Sequence, residues 1–181
     1  VTNLASGVAI GIGSSNAAFD GGATLDVGQE NDGQSDSLTV DIDTSNGPAT
    51  ADLDTSTTIE TTTFQIDDNN GVNLDLSGTD ATEVVLNGDG SGNDVDLTQG
   101  SSKLNAATTI VNASGLSNDL IVDAGNADNG VTITANDDDG GTDITGSGND
   151  DTVTLNGVSS TVTTLDGGNG TGDTLNLNGI D

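Results

Sequence analysis

The segments GNDDTVTL (148–155) and GTGDTLNL (170–177) decide the fold class of this chain. Each begins with a cluster of Gly, Asn, Asp or Thr that favours a turn and continues with polar and apolar residues in alternation. Alternation with a period of two is the signature of a β-strand. The two segments therefore predict short strands that directly follow tight turns.

The same phrase recurs along the chain as Gly-x-x-(Asp or Asn)-(Ser, Thr or Asp)-(Leu or Val)-x-(Val or Leu). The three further copies are GQSDSLTV from Gly33, GSGNDVDL from Gly90 and GLSNDLIV from Gly115. The spacing between copies is not constant. The phrase is therefore an irregular repeat, with inserted or degenerate units between the clear copies.

The rest of the chain also consists of short alternating segments separated by turn residues, which predicts an all-β protein. Segments such as FQI (64–66) and VNLDL (72–76) alternate in the same way, and no segment sustains a helical period. Strands this short bury only one or two apolar side chains each, so they form a core only when successive coils stack. The repeats predict a parallel β-helix or β-solenoid, with two or three strands in each coil of roughly 20 to 35 residues.

An antiparallel β-sandwich is the alternative, because it also uses short strands at similar spacing. The chain has no Trp and no Tyr, so it lacks the buried aromatic signature of the immunoglobulin-like sandwich. We expect 1–181 to be a single repetitive solenoid segment of a longer chain, with 1–20 as a less regular edge or linker. The predicted inward column is aliphatic: Leu38, Val40, Leu74, Leu76, Val95, Leu97, Leu120, Val122, Val131, Ile133, Val153, Leu155, Leu175 and Leu177.

The charge of the chain excludes several classes of partner. The sequence has 30 acidic residues and a single basic residue, Lys103, which gives a formal net charge of −29 at pH 7. Such a chain repels nucleic-acid phosphates and anionic lipids, and it has no apolar run near the roughly 20 residues of a membrane span. We expect no nucleic-acid partner and no membrane insertion. Carboxylates at this density favour a bound divalent cation.

Calcium is the predicted cofactor, because it takes six to eight oxygen ligands from carboxylates, amides and carbonyls in flexible loops. The candidate ligands lie beside Gly and Asn in the predicted turns: Asp36, Asn93, Asp94, Asp137, Asp138, Asp139, Asp143, Asn149, Asp150, Asp151, Asp166 and Asp173. Two other interpretations stay open, since Asp and Asn also stabilise turns without a metal and acidic surfaces also serve solvation in halophiles. The rarity of Glu favours ligand loops over halophilic adaptation.

Three longer segments carry a resemblance to a known group of proteins. GSGNDDTVTL (146–155), DGGNGTGDTLNLNG (166–179) and VNLDLSGTDATEVVLNGDGSGNDVDL (72–97) resemble the surface-layer (S-layer) proteins of Gram-negative bacteria and the related RTX-repeat exoproteins. In the RTX repeat GGxGxDxUx, turn carbonyls and the Asp carboxylate bind calcium. Here Asp173 comes one residue late, and Asp151 is an extra Asp before the strand. The resemblance implies a secreted solenoid with scattered calcium sites.

An enzyme is the function class that the sequence disfavours. The chain has no His, Cys, Tyr or Arg, which excludes serine–histidine triads, thiolate catalysis and zinc–histidine sites. Carboxylate pairs remain, but the aromatic platforms of sugar clefts are nearly absent. Phe19 and Phe64 are the only aromatic residues, and we predict that both lie in the core.

The expected function is structural. We expect a secreted, extracellular, calcium-stabilised β module that self-assembles into a cell-surface lattice, and a calcium-dependent adhesin or fibre shaft is the alternative. The expected partners are other copies of the chain, neighbouring domains of the same chain and cell-surface polysaccharide.

Overall fold

The strands of the chain stack into a β-solenoid. A computed structural model of the 181-residue chain describes residues 2–4, 8–13, 24–29, 36–43, 49–55, 59–67, 71–88, 94–98, 104–117, 119–136, 141–157 and 164–179. These ranges contain sixteen strands and no helix, so no helix among them could cross a membrane. The strands are β1 (Thr2–Leu4), β2 (Val8–Gly13), β3 (Thr24–Gln29), β4 (Ser37–Asp43), β5 (Ala49–Thr55), β6 (Thr61–Asp67), β7 (Val72–Asp75), β8 (Glu83–Gly88), β9 (Val95–Asp96), β10 (Ile110–Leu116), β11 (Leu120–Asp123), β12 (Thr132–Asn136), β13 (Asp143–Thr145), β14 (Thr152–Asn156), β15 (Thr164–Asp166) and β16 (Thr174–Asn178).

Two parallel sheets form the walls of the solenoid. The odd-numbered strands make one eight-stranded sheet in the order β1-β3-β5-β7-β9-β11-β13-β15, and the even-numbered strands make the other in the order β16-β14-β12-β10-β8-β6-β4-β2. Every described strand pairing is parallel. The prediction of a parallel β-solenoid is confirmed, and the alternative of an antiparallel sandwich is wrong.

Each coil contains one strand of each sheet and advances by one strand spacing, about 4.8 Å. Coil length varies, because the turns differ in length while the strand register is kept. Thr132 pairs with Thr152, 20 residues later, and Val8 pairs with Leu38, 30 residues later. Both steps fall within the coil length predicted from the sequence, with two strands in each coil.

In-register columns of aliphatic side chains form the core between the two sheets. One column of the even sheet runs through Leu38, Thr62, Val84, Val111, Ile133, Val153 and Leu175. All but Leu175 are buried. Full burial of each large aliphatic side chain contributes about 1.5 to 3 kcal/mol. Stacking therefore gives each short strand the core that it could not form alone.

The predicted inward column is confirmed at twelve of its fourteen positions, which are buried. The exceptions are Leu175 and Leu177, whose side chains are 51% and 41% exposed. Both occupy the inward-facing positions that Val153 and Leu155 occupy in the neighbouring strand. They are exposed because β16 is the last described strand of its sheet. Phe64 is buried as predicted, whereas Phe19 and Lys103 lie outside the described residues.

An asparagine ladder follows the outer face of the even sheet, at the end of β12, β14 and β16. The Asn156 side-chain amide donates to Asn136 Oδ1 at 3.4 Å, and that of Asn178 donates to Asn156 Oδ1 at 3.0 Å. Gly157 and Gly179 follow with φ of 67° and 70°. This left-handed conformation favours glycine, so the Asn-Gly pair both extends the ladder and ends the strand.

Candidate functional site

The turns that lead from the odd sheet into β14 and β16 hold four of the eight described candidate ligands. Residues 146–151 connect β13 to β14, and residues 167–173 connect β15 to β16. Because β14 and β16 are in-register neighbours, these two turns lie one above the other at one edge of the solenoid. Asn149, Asp150 and Asp151 lie in the first turn, and Asp173 ends the second.

Asp151 lies directly before β14, and its carboxylate is 2% exposed. Its Oδ1 accepts a hydrogen bond from the backbone N–H of Val131 at 2.6 Å, and its Oδ2 accepts one from the backbone N–H of Ser147 at 2.9 Å. The Ser147 hydroxyl lies 3.0 and 3.2 Å from the two oxygens. A buried carboxylate is stable only with such partners. Asp151 therefore joins its own turn to the coil before it.

The bond between Asp151 and Val131 recurs at equivalent positions of other coils. Asp173 Oδ1 accepts from the backbone N–H of Asp151 at 3.0 Å, and Glu60 Oε2 accepts from the backbone N–H of Asp36 at 2.7 Å. In each case the carboxylate directly precedes an even strand, and the N–H lies at the same position one coil earlier. We call this contact, made by Glu60, Asp151 and Asp173, the carboxylate staple.

Asp150 and Asn149 bind the coils on either side of their turn. Asp150 Oδ1 accepts from the backbone N–H groups of Thr171 and Gly172, in the following turn, at 3.0 and 2.8 Å. The Asn149 side-chain amide donates to the carbonyl of Asp128, in the preceding turn, at 3.1 Å. Candidate ligands at this edge thus already form hydrogen bonds with backbone groups of neighbouring coils.

Asp123 and Asp166 end strands of the odd sheet and start the turns that follow. Asp123 Oδ1 accepts from the backbone N–H of Gly125 at 2.8 Å, and Asp166 Oδ1 accepts from that of Gly168 at 2.9 Å. Thr145 lies between them in the register, so the backbones of the two residues are two coils apart, about 10 Å. Each carboxylate binds a backbone N–H of its own turn.

Asp94 and Asp143 lie at the opposite edge, where the chain enters the odd sheet. Asp94 is exposed as a residue, but partial burial of its carboxyl raises the pKa above its ordinary value of 3.8, and the neighbouring negative charges of Asp96 and Asp143 raise it further. Asp143 Oδ1 also accepts from the backbone N–H of Thr164 at 3.2 Å. Like charges therefore crowd at this edge, which is the condition that a bound cation would relieve.

The remaining candidate ligands are distributed as follows. Asp36 is buried beside the Glu60 staple. Asn93, Asp137, Asp138 and Asp139 lie outside the described residues. Within the described part of the chain, no group of three or more acidic side chains converges to hold a metal ion. Any calcium ion there would need backbone carbonyl, amide or water oxygens beside one or two carboxylates, a mixture that calcium commonly accepts.

Sequence reasoning missed Glu60 and Glu83 as functional residues. Glu60 forms a staple, and Glu83 Oε2 accepts from the hydroxyl of Thr61, one coil earlier, at 3.2 Å. Both side chains reach back along the solenoid to a residue 22 or 24 positions away in sequence. Glu60 lies directly before β6 and Glu83 is the first residue of β8, but local alternation did not predict a strand start at either position.

The carboxylates at the two edges hold backbone groups of successive coils and concentrate negative charge. Comparisons of the chain with protein-family models, with curated proteins and with solved structures found no match.

Proposed function

We propose that this chain is a structural segment of an extracellular surface layer, a calcium-stabilised β-solenoid that self-assembles at the cell surface. The observation that carries the proposal is the stacking of carboxylates at the solenoid edges without basic partners. The whole chain has one basic residue against 30 acidic residues. A divalent cation bound between neighbouring carboxylates would neutralise this charge locally and keep the coils together.

Calcium fits the chemistry of the turns better than other metals. The turns offer carboxylate, amide and carbonyl oxygens, and the chain has neither Cys nor His for a softer metal. Oxygen ligands at variable angles suit the flexible coordination of calcium, whereas magnesium demands a near-ideal octahedron. The Asp94 edge supports the same proposal, because burial and the negative charges of Asp96 and Asp143 raise the pKa of that carboxyl, and a bound cation would favour its charged form.

Parallel stacking supports assembly by the addition of further coils. Among the described strands, β16 is the last of its sheet, and Leu175 and Leu177 at its inward positions are exposed. A strand with an apolar inner face pairs readily with a further strand. A coil of a second copy, or of a neighbouring domain of the same chain, would continue both sheets and cover these leucines.

The proposed role is not enzymatic. Several of the described carboxylates that sequence analysis nominated, among them Asp150 and Asp151, bind backbone N–H groups of neighbouring coils, which supports a role in holding coils together. A secreted module of this kind would be only marginally stable at the low calcium concentration inside a cell. The millimolar calcium outside the cell would stabilise its folded state.

A fibre shaft or calcium-dependent adhesin is the second candidate, and the direction of the strands favours it. All described strand pairs are parallel, so each coil adds the same rise along one axis and the stack is a rod. A shaft would transmit force along this axis, whereas a surface layer needs lateral contacts as well.

Circular dichroism combined with light scattering tests the proposed function. Calcium is titrated from excess chelator into the millimolar range at fixed ionic strength, with magnesium as the control. We expect the β signal to rise with calcium and ordered assembly to follow, with magnesium much less effective. A full β signal in chelator and a monomer throughout the titration would contradict the proposal. A calcium-dependent monomer that folds without assembling would exclude the lattice and leave the shaft.

A further inference from the structure

One buried carboxylate of the solenoid lacks the partners that its equivalent has. Asp36 and Asp151 both lie directly before an even strand, are 6% and 2% exposed, and donate their backbone N–H to the staple of the next coil. Asp151 has hydrogen bonds to both carboxylate oxygens. Asp36 Oδ2 is buried and has no hydrogen-bond partner among the residues that the structure describes.

A second carboxylate, that of Glu60, contacts the backbone of the same residue. Glu60 Oε2 is 2.7 Å from the backbone nitrogen of Asp36, so the carboxylates of Asp36 and Glu60 are within one side chain's length of each other. Glu60 is partly buried. Two neighbouring negative charges, one of them removed from water and unpaired, are costly unless a positive charge joins them.

We infer that Asp36 and Glu60 form a calcium site between the coil of β4 and the coil of β6. The inference rests on the proposed calcium dependence and gives it a location. The buried Asp36 Oδ2 and the Glu60 carboxylate supply the charge, and backbone and water oxygens complete the coordination, as is usual for calcium. The ion joins two successive coils through their side chains, at a position where the Asp151 coil uses only hydrogen bonds.

The number of calcium ions bound per chain tests this site. Isothermal titration calorimetry on the full chain would compare the wild type with Asp36→Asn and with Asp151→Asn as the matched control. We expect Asp36→Asn to bind one calcium ion fewer, or to bind that ion at least tenfold more weakly. Asp151→Asn should keep the wild-type number, because its carboxylate oxygens already have hydrogen-bond donors.

The midpoint of unfolding in excess chelator is a second measurement. We expect the two variants to change this midpoint differently. Asp36→Asn removes an unpartnered buried charge, so its unfolding midpoint should equal or exceed that of the wild type. Asp151→Asn removes a carboxylate whose two oxygens both accept hydrogen bonds, so its unfolding midpoint should fall. If Asp36→Asn does not fold, Glu60→Gln is the substitute, because its amide oxygen can still accept from Asp36 N–H while the charge is lost.

The possible outcomes separate this site from the proposed function. If the wild type binds calcium and both Asp36→Asn and Glu60→Gln bind the same number with unchanged affinity, the site is wrong and the calcium proposal stands. If the wild type binds no calcium at all, both are wrong.

Discussion

The carboxylate of Asp151 accepts a hydrogen bond from the backbone N–H of Val131, 20 residues earlier in the chain and one coil away in the solenoid. A side chain thus supplements the backbone ladder at a position where the strand has not yet begun. The same contact joins Asp173 to Asp151. The acidic residues of this chain therefore stabilise the stack as well as charge its surface.

Replacing Asp151 by Asn should destabilise the solenoid by about 1 to 3 kcal/mol, because an amide cannot accept hydrogen bonds at both of its polar atoms. Urea unfolding followed by circular dichroism measures the change. Asp166→Asn is the control, since it removes the same charge but keeps an Oδ1 that can accept from Gly168 N–H. We expect that variant to stay within about 0.5 kcal/mol of the wild type. Equal losses of stability in the two variants would contradict the stabilising role of the carboxylate staple.

Replacing Thr62 by Val should stabilise the protein. Thr62 lies in the aliphatic column between Leu38 and Val84, is 1% exposed, and its hydroxyl has no hydrogen-bond partner in the described structure. Valine has nearly the same shape without the unpaired polar group, so we expect a gain of about 1 kcal/mol in the free energy of unfolding. Thr63→Val, on the outer face, is the control and should change little. A loss of stability in Thr62→Val would show that the hydroxyl is satisfied.

Replacing Gly168 by Ala should destabilise the last turn. Gly168 has a φ of 80°, and a Cβ there would run into the backbone carbonyl of Ser147. The left-handed conformation alone costs about 1 to 2 kcal/mol for a residue with a side chain. Gly148→Ala is the control, because no atom lies within 4 Å of a Cβ at that position. Similar unfolding midpoints for the two variants would contradict the described turn.

Replacing Asp94 by Asn should stabilise the protein at neutral pH but not at acid pH. The pKa of Asp94 is raised in the folded state, so the folded protein holds this proton more tightly than the unfolded chain does. The ionised carboxylate therefore destabilises the fold above the raised pKa. The penalty vanishes well below 3.8, where the carboxyl is protonated in both states.

Urea unfolding of Asp94→Asn in chelator, at pH 7 and at about pH 3, measures this difference. Asp166→Asn serves again as the charge-matched control. A gain for Asp94→Asn that is equal at both pH values would contradict the electrostatic cause. A smaller gain at pH 7 in the presence of calcium would indicate that an ion already neutralises this edge.

The fold could be predicted from the sequence because the strand period and the turn residues agree. Leu38, Ile133 and Val153 share one inward column, and each was placed by local alternation with Ser or Thr. Burial at the edge strand could not be predicted in this way. Leu175 and Leu177 have the correct phase, but their exposure depends on what lies beyond β16, which alternation does not report.

The irregular spacing of the repeated phrase has a structural reason. The copies from Gly33, Gly148 and Gly170 lead into β4, β14 and β16 of the even sheet, whereas those from Gly90 and Gly115 lead into β9 and β11 of the odd sheet. The same phrase thus marks the turns at both edges. Intervals between copies of different sheets include an additional half coil, so no single period can fit them.

The chemistry of the candidate site was less predictable. The sequence indicates that Asp36, Asp151 and Asp173 each precede a strand, but not that a carboxylate there meets a backbone N–H one coil away. That contact depends on the register between strands 20 to 24 residues apart, and the register depends on turn lengths that vary. Calcium binding itself stays a prediction.

The dependence of stability on calcium concentration tests the central claim most directly. Urea unfolding of the full chain is measured at increasing free calcium and at constant ionic strength, with magnesium in parallel. Each ion that binds only the folded state should add about 1.4 kcal/mol to the free energy of unfolding for every tenfold rise in calcium above its dissociation constant. We predict that the free energy of unfolding rises with calcium at least this steeply. The rise with magnesium should be much smaller. Identical unfolding curves in chelator and in millimolar calcium would contradict the account.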